Sequence, residues 1–388
     1  MPFQVVIAGA GPAGALSAFL LAAARPDWRI LLIDAEPLPK HRPCGEYLSP
    51  GAVGVLARAG LASAVMATGA QSLAGVAISG ACGGMDVAFA PVLGRAPCHA
   101  HGLGIRRERF DAVLQDAAAL RVALRRATRI TRAAYLDRRW RLTIDHAGAL
   151  EDLEADLLIG ADGRHSRIRH WAGLDAPSGR KRFALVCRAT GIRHGDRVAM
   201  HLGPLGQVGV CPLGSGEVNL NLLLAPASTP LLRMRRPETL MRAALSATPT
   251  LAGSARRAVL GPVLATGSLA QSSHGVIADG LCLVGDAAGF CDPFSGEGLT
   301  LALRGAELLA QSFAEASGHP PVAQLQCYAT AYARTIGRRR RFGDALQPVL
   351  ARRRLSDGLA AVLGRIPLLA AWTIAEASGY RRSARPAA

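Results

Sequence analysis

The stretch VVIAGAGPAG, residues 5–14, constrains the fold of this chain more than any other. An apolar run of strand character leads straight into Gly9-x-Gly11-x-x-Gly14, and the apolar residues 12–24 continue as a helix. Each glycine has its own physical task. Gly9 permits the tight turn, Gly11 lets a pyrophosphate approach the backbone, and Gly14 lets the helix pack on the strand. The helix N-terminus then offers free N–H groups to phosphate. A second strand, RILLID (29–34), ends in Asp34, at the distance where an acid takes the hydroxyls of an adenosine ribose. An acid there disfavours a 2′-phosphate, so the unit suits FAD or NAD rather than NADP. Strand, turn, helix and strand in this order imply a parallel sheet.

A chain of 388 residues suits two or three domains, and its 50% apolar content is ample for a core. The net charge of +17 raises nucleic acid as a partner. The excess is almost all arginine, spread along the chain with no basic run interleaved with aromatics, so no nucleic-acid partner is expected. What remains is a compositional bias, an acidic protein partner or an anionic membrane surface. Eight cysteines (44, 82, 98, 187, 211, 282, 291 and 327) form no CxxC pair, so no metal site is expected and free thiols in a reducing cytoplasm are. The run ALSAFLLAAA (15–24) follows a glycine turn without a basic leader and is too short to span a bilayer. A cytoplasmic protein is expected, with peripheral contact at the inner face of the membrane as the alternative.

Further along, Ser49-Pro50 has the chemistry of a helix start. Residues 106–118 and roughly 297–316 read as helices. Between about 180 and 265, short strands punctuated by Gly and Pro read as an antiparallel sheet. Two more buried strands end in turns. ADLLIGADG (155–163) leads into Asp162-Gly163, Ser166 and Arg169, and GLCLVGDAAG (280–289) carries Gly285-Asp286 and leads into Pro293, Gly296 and Gly298. An aspartate just past such a strand is placed to accept hydrogen bonds from ribityl hydroxyls.

Together these segments resemble the flavoprotein superfamily that includes para-hydroxybenzoate hydroxylase, geranylgeranyl reductases and flavin halogenases. The three motifs match in order over about residues 1–315, and Arg107 in RRERFD resembles the arginine that superfamily places near the pyrophosphate and ribityl chain. RPCGEYLSPG (42–51) and GDAAGFCDPFSGEGL are similar to segments of the geranylgeranyl-reductase-like branch. The halogenase WxWxIP signature is absent. VGVCPLGSGEVNLNLLL (208–224) replaces the aromatic-rich substrate motif of the reductases, with only Pro212 in common.

The resemblance implies an α/β fold: a Rossmann-type FAD-binding domain (1–75, 101–178, 266–320), an inserted antiparallel β-sheet substrate domain (76–100, 179–265) and a helical C-terminal region (321–388). It implies bound FAD, held by Gly9, Gly11, Gly14, Asp34, Cys44, Gly45, Arg107, Asp162, Gly285, Asp286, Pro293, Gly296 and Gly298, and NADH or NADPH as electron donor without a dedicated domain. The activity it implies first is an FAD-dependent monooxygenase that hydroxylates a hydrophobic or carrier- or protein-bound organic substrate with dioxygen. The alternative is a reductase that saturates an isoprenoid-like alkene. A flavin-binding docking protein without turnover is the non-enzymatic reading.

Two residues are candidates for chemistry. Cys44 either contacts substrate or relays a proton, or is a small buried thiol. Glu46 is either an acid/base or a carboxylate that caps backbone. His99 and His101 lack the partners of a metal site, and His101 is the better candidate base. Ser295 does not meet the GxSxG order of a nucleophile elbow. Asp292 and Glu297 are too few for calcium, and Glu297 complements a helix N-terminus. The C-terminal arginine runs 338–341 and 352–354 are either a solvated face or a docking surface beside the apolar segment around Trp372.

Overall fold

The computed structural model describes residues 2–177, 182–267, 269, 271–290, 296–314, 322–350, 352–379 and 381–382. The strand Gln4–Ala8 sits inside a six-stranded sheet, between Arg29–Ile33 and Leu157–Gly160, and pairs with both in parallel. Leu281–Leu283 extends the sheet in parallel beyond Leu157–Gly160, and Ala123–Arg125 does so beyond Arg29–Ile33. Four positions of each central strand are buried, as sheets covered on both faces require. Because these strands run the same way, Gly9, Asp34, Ala161 and Val284 all leave the sheet at one edge. That edge is where ligands bind in open α/β sheets.

The helix Pro12–Ala24 starts with proline at its first position and packs against the helix Gly298–Phe313. Ser49 caps the helix Pro50–Arg58, accepting from the Ala52 amide at 3.4 Å, as the Ser-Pro pair implies.

The second sheet has eight strands. Ala184–Thr190, Glu217–Leu224, Gly206–Gly214 and Arg197–Gly203 lie side by side, antiparallel. Gly75–Gly80 joins them in parallel on Arg197–Gly203, where the sequence pattern suggests antiparallel pairing throughout. The reason is connectivity. Gly75–Gly80 arrives from a distant segment, so no hairpin fixes its direction. In Glu217–Leu224 the two-residue period of a strand divides the side chains. Val218, Leu220, Leu222 and Leu224 are fully buried in a cluster with Leu240, Met241, Ala244 and Leu245 of the helix Pro237–Ala247. Asn219, Asn221 and Leu223 take the opposite face, toward the nucleotide-binding half.

The C-terminal helices Arg353–Arg365 and Pro367–Ala377 pack on Gly83–Ala88. Leu363, Ala370 and Ile374 join Met85 and Val87 in one apolar cluster. These helices therefore form a wall of the substrate half.

Candidate functional site

A cavity of about 860 Å³ opens at the C-terminal edge of the parallel sheet and runs to the second sheet and the C-terminal helices. Gly9, Gly11 and Asp34 line one end. Cys44, Arg107 and Asp286 lie along it, and Ile78, Met200, Leu202, Leu223, Leu363 and Ile374 line the apolar part.

The glycine turn divides its tasks as the sequence implies. Gly9 has φ +100°, and a side chain there would strike the Ala161 carbonyl oxygen at 2.5 Å. A Cβ on Gly14 would stand 1.9 Å from the Gly9 carbonyl oxygen, so helix and turn touch backbone to backbone. Gly11 differs, since no atom lies within 4 Å of where its Cβ would be. Its missing side chain opens the cavity at the helix N-terminus. Asp34 is buried and accepts from the Ala10 amide at 2.7 Å and the Glu36 amide at 2.8 Å. That uses roughly two of about four acceptor positions on a carboxylate.

Asp162 caps the short helix Arg167–Trp171 through Oδ2, which accepts from the amides of Arg167 (2.7 Å) and Ile168 (3.2 Å). Its Oδ1 is buried with no hydrogen-bond partner among the described residues, and burial raises the pKa of the group. An orphaned acceptor on a cavity wall is costly unless a ligand donor satisfies it. Ser166 and Arg169 have structural tasks. Ser166 Oγ accepts from the Arg169 amide at 2.9 Å, and Arg169 donates to Asp175 (2.7 Å) and to the Ala287 carbonyl (3.1 Å). They brace one aspartate turn against the other.

Gly285 opens the second turn at φ +63°, against Ala13. Burial pushes the Asp286 carboxyl up to about 6, against the opposing pull of Arg107, Arg164 and Arg340. Gly296, at φ +65°, packs on the Tyr47 ring. Gly298 begins the helix Gly298–Phe313 and, like Gly11, has no atom within 4 Å of a Cβ. Two helix N-termini therefore open on one cavity through glycine. Glu297 precedes the second and accepts from Arg339 at 3.1 Å. Pro293, Asp292 and Ser295 lie outside the described residues.

The Cys44-Gly45-Glu46 turn lines the cavity. Glu46 is fully buried at φ +55°, a strained conformation for a side chain with a Cβ. Its Oε1 accepts from the Arg107 amide (2.8 Å) and Arg188 Nη2 (2.5 Å), and its Oε2 from Arg188 Nε (3.0 Å) and Asn219 Nδ2 (3.0 Å). Four donors fill the acceptor capacity of the group. These contacts describe the capping carboxylate and leave no oxygen for the acid/base role that the sequence also allowed. Arg107 begins the helix Arg107–Ala119, lines the cavity and is held by Asp111 through two 2.9 Å bonds. Burial pushes the Cys44 thiol up, and Arg107 opposes this. Cys211, also on the cavity wall, is pushed well up by burial. Both groups are thiols rather than thiolates at neutral pH. His99 and His101 lie away from the cavity lining, His101 exposed, so the candidate base His101 does not face the site. Among the described residues no cluster could hold a metal.

Sequence reasoning missed Arg188, Asn219 and Asn221. Asn219 Nδ2 also donates to the Cys44 carbonyl at 2.9 Å, and a Cβ on Gly45 would meet Asn221 at 3.6 Å. The signal was present in EVNLNLLL, where two amides alternate with leucines and so share one face of a strand.

The orphaned Asp162 oxygen, the acid at Asp34 and the two glycine-opened helix N-termini fit a dinucleotide with a pyrophosphate. Residues 2–338 match the family described as "FAD binding domain". The chain is 29% identical over 318 residues to digeranylgeranylglycerophospholipid reductase 1 of Methanopyrus kandleri, covering 78% of each chain. It is 28% identical over 184 residues to 3-demethoxyubiquinol 3-hydroxylase of Escherichia coli, covering 44% of this chain and 45% of that one. A crystal structure of a flavoprotein/dehydrogenase from Cytophaga hutchinsonii superposes with a TM-score of 0.83 at 22% identity, covering 97% of this chain and 92% of that one.

Proposed function

Since this chain belongs to the FAD-binding-domain family, we propose that it is an FAD-dependent reductase that saturates a carbon–carbon double bond in a long apolar, isoprenoid-like substrate. The observation that carries this reading is that the Cys44 thiol lines the same cavity as Gly11 and Asp34 of the nucleotide-binding half and the apolar side chains Ile78, Met200 and Leu202. The relative aligned along most of this chain is also a reductase, while the hydroxylase aligns over less than half of it.

Saturating an alkene takes one hydride and one proton. FAD, when bound and reduced by NADH or NADPH, supplies the hydride chemistry. The remaining work falls to the chain. Asp34 holds the ribose, and the helix ends at Gly11 and Gly298 stabilise negative charge on the cofactor. Asp162 Oδ1 and Asp286 accept ligand hydroxyls. Ile78, Met200, Leu202 and Leu223 surround the substrate and exclude water. Cys44 gives the proton from Sγ and recovers it from solvent.

The test uses purified holoprotein, NADH or NADPH, and a geranylgeranyl lipid as substrate, without oxygen. The product should gain two hydrogens and no oxygen. Cys44→Ala should slow product formation by about 100-fold while the rate of flavin reduction by the nicotinamide stays unchanged. Turnover that requires dioxygen and places labelled oxygen in the product would establish monooxygenation instead.

A further inference from the structure

The helices Arg353–Arg365 and Pro367–Ala377 meet at a bend of 115°. Their inner faces belong to the cavity, through Leu359, Leu363 and Ile374. Their outer faces are unusual. Of the fourteen exposed large apolar residues recorded among the described residues, five fall here: Leu355, Val362, Ile366, Leu368 and Leu369, the fourth 64% exposed. Leu355 and Val362 lie seven residues apart on the first helix, Ile366 stands at the junction, Leu368 and Leu369 open the second helix, and Gly364 to Leu369 are exposed without interruption across the bend. A contiguous apolar patch of this kind marks an interaction site.

Charge identifies the occupant. Arg352, Arg354 and Arg365 flank the patch, all exposed, and none has an ion pair recorded among the described residues. Arg353 alone reaches an acid, Asp357, at 3.6 Å. Apolar side chains ringed by uncompensated guanidinium groups match an anionic bilayer, with leucines below the headgroups and arginines among them. No single described helix is long and apolar enough to cross a membrane, and these two have the length and composition to do so only when taken together across their bend. The inner faces are packed on the second sheet, so the pair lies on a bilayer rather than in it.

We propose that this helical corner docks the protein on an anionic membrane and turns the apolar end of the cavity toward the bilayer, the wall between them being one helix thick. The docking claim stands on the surface alone, and what enters the cavity rests on the proposed reductase reading. The test is co-sedimentation of the holoprotein with vesicles of phosphatidylcholine alone and of phosphatidylcholine with phosphatidylglycerol. Binding should require the anionic lipid and weaken with salt. Removing Arg354 or Arg365 as Arg→Ala should lower affinity roughly five-fold each. The double change Leu368→Glu with Leu369→Glu should lower it roughly tenfold or more, with flavin content unchanged, whereas Leu120→Glu, at an exposed leucine elsewhere, should do nothing. Protein that stays in the supernatant with both vesicle types overturns the proposal. So does binding that the arginine and leucine changes leave intact, or that Leu120→Glu lowers equally. Vesicle binding is scored without turnover, so failure of the reductase assay and failure of docking are read separately.

Discussion

Arg188, on the second sheet, grips the carboxylate of Glu46, in the turn beside the cavity, with Nε on Oε2 at 3.0 Å and Nη2 on Oε1 at 2.5 Å. The same guanidinium reaches Glu108 at 2.7 Å. One arginine therefore fastens the Cys44-Gly45-Glu46 turn and the start of the Arg107 helix to the substrate sheet. The contact links the two halves that line the cavity, and Glu46 stands in it at φ +55°.

Removing one partner of a buried pair leaves a charge unpaired, at a cost of about 3–5 kcal/mol. Arg188→Ala should therefore lower unfolding stability by about that amount, measured by urea denaturation. Arg188→Lys should recover only part of it, because an ammonium cannot span two carboxylate oxygens as a fork. Equal stability of Arg188→Ala and wild type would remove the clamp from the account.

The Asp286 carboxyl, raised to about 6, makes cofactor binding sensitive to pH. Ligand hydroxyls donate best to the ionised form, so FAD affinity should fall as pH drops through about 6, measured by fluorescence titration of the apoprotein. Asp286→Asn should bind more weakly at neutral pH and flatten that profile. The linkage to folding has the opposite sense. A raised carboxyl contributes most to apoprotein stability below the ordinary value of 3.8, and that contribution is lost as pH rises through about 6.

His201 offers a test away from the site. Its Nδ1 shares hydrogen bonds with Ser79 Oγ (2.7 Å) and Thr250 Oγ1 (2.9 Å), and burial lowers the ring from 6.5 to about 4. Between those values the unfolded chain takes up a proton that the folded ring refuses. Its contribution to stability should be complete above 6.5 and decline as pH falls toward about 4. His201→Gln should lessen the acid dependence of the melting temperature, and an unchanged slope would show that the ring titrates freely.

The nucleotide-binding half was legible in the sequence because its constraints are local. Gly14 touches Gly9 within one turn, and Gly9 and Gly285 supply the positive φ that their turns require, so each leaves a motif with fixed spacing. Asp34 and Asp162 follow from where a buried strand must end. The clamp was not legible, since Glu46, Arg188 and Asn219 meet only after distant segments fold together. Glu46 showed its charge and its neighbours in the chain, which suit a catalytic acid and a capping group alike. Only the count of four donors separates them. The parallel junction of Gly75–Gly80 with Arg197–Gly203 escaped for the same reason, since strand direction across a sequence gap has no local signature.

The account rests on FAD in the cavity between the Gly11 and Gly298 helix ends, and the most direct measurement is the identity and amount of flavin in the purified protein. The protein should be yellow, and flavin released by heat should chromatograph as FAD at one per chain, with Asp286→Ala losing most of it. Colourless protein that takes up no FAD on reconstitution, or wild-type retention of FAD by Asp286→Ala, would contradict this.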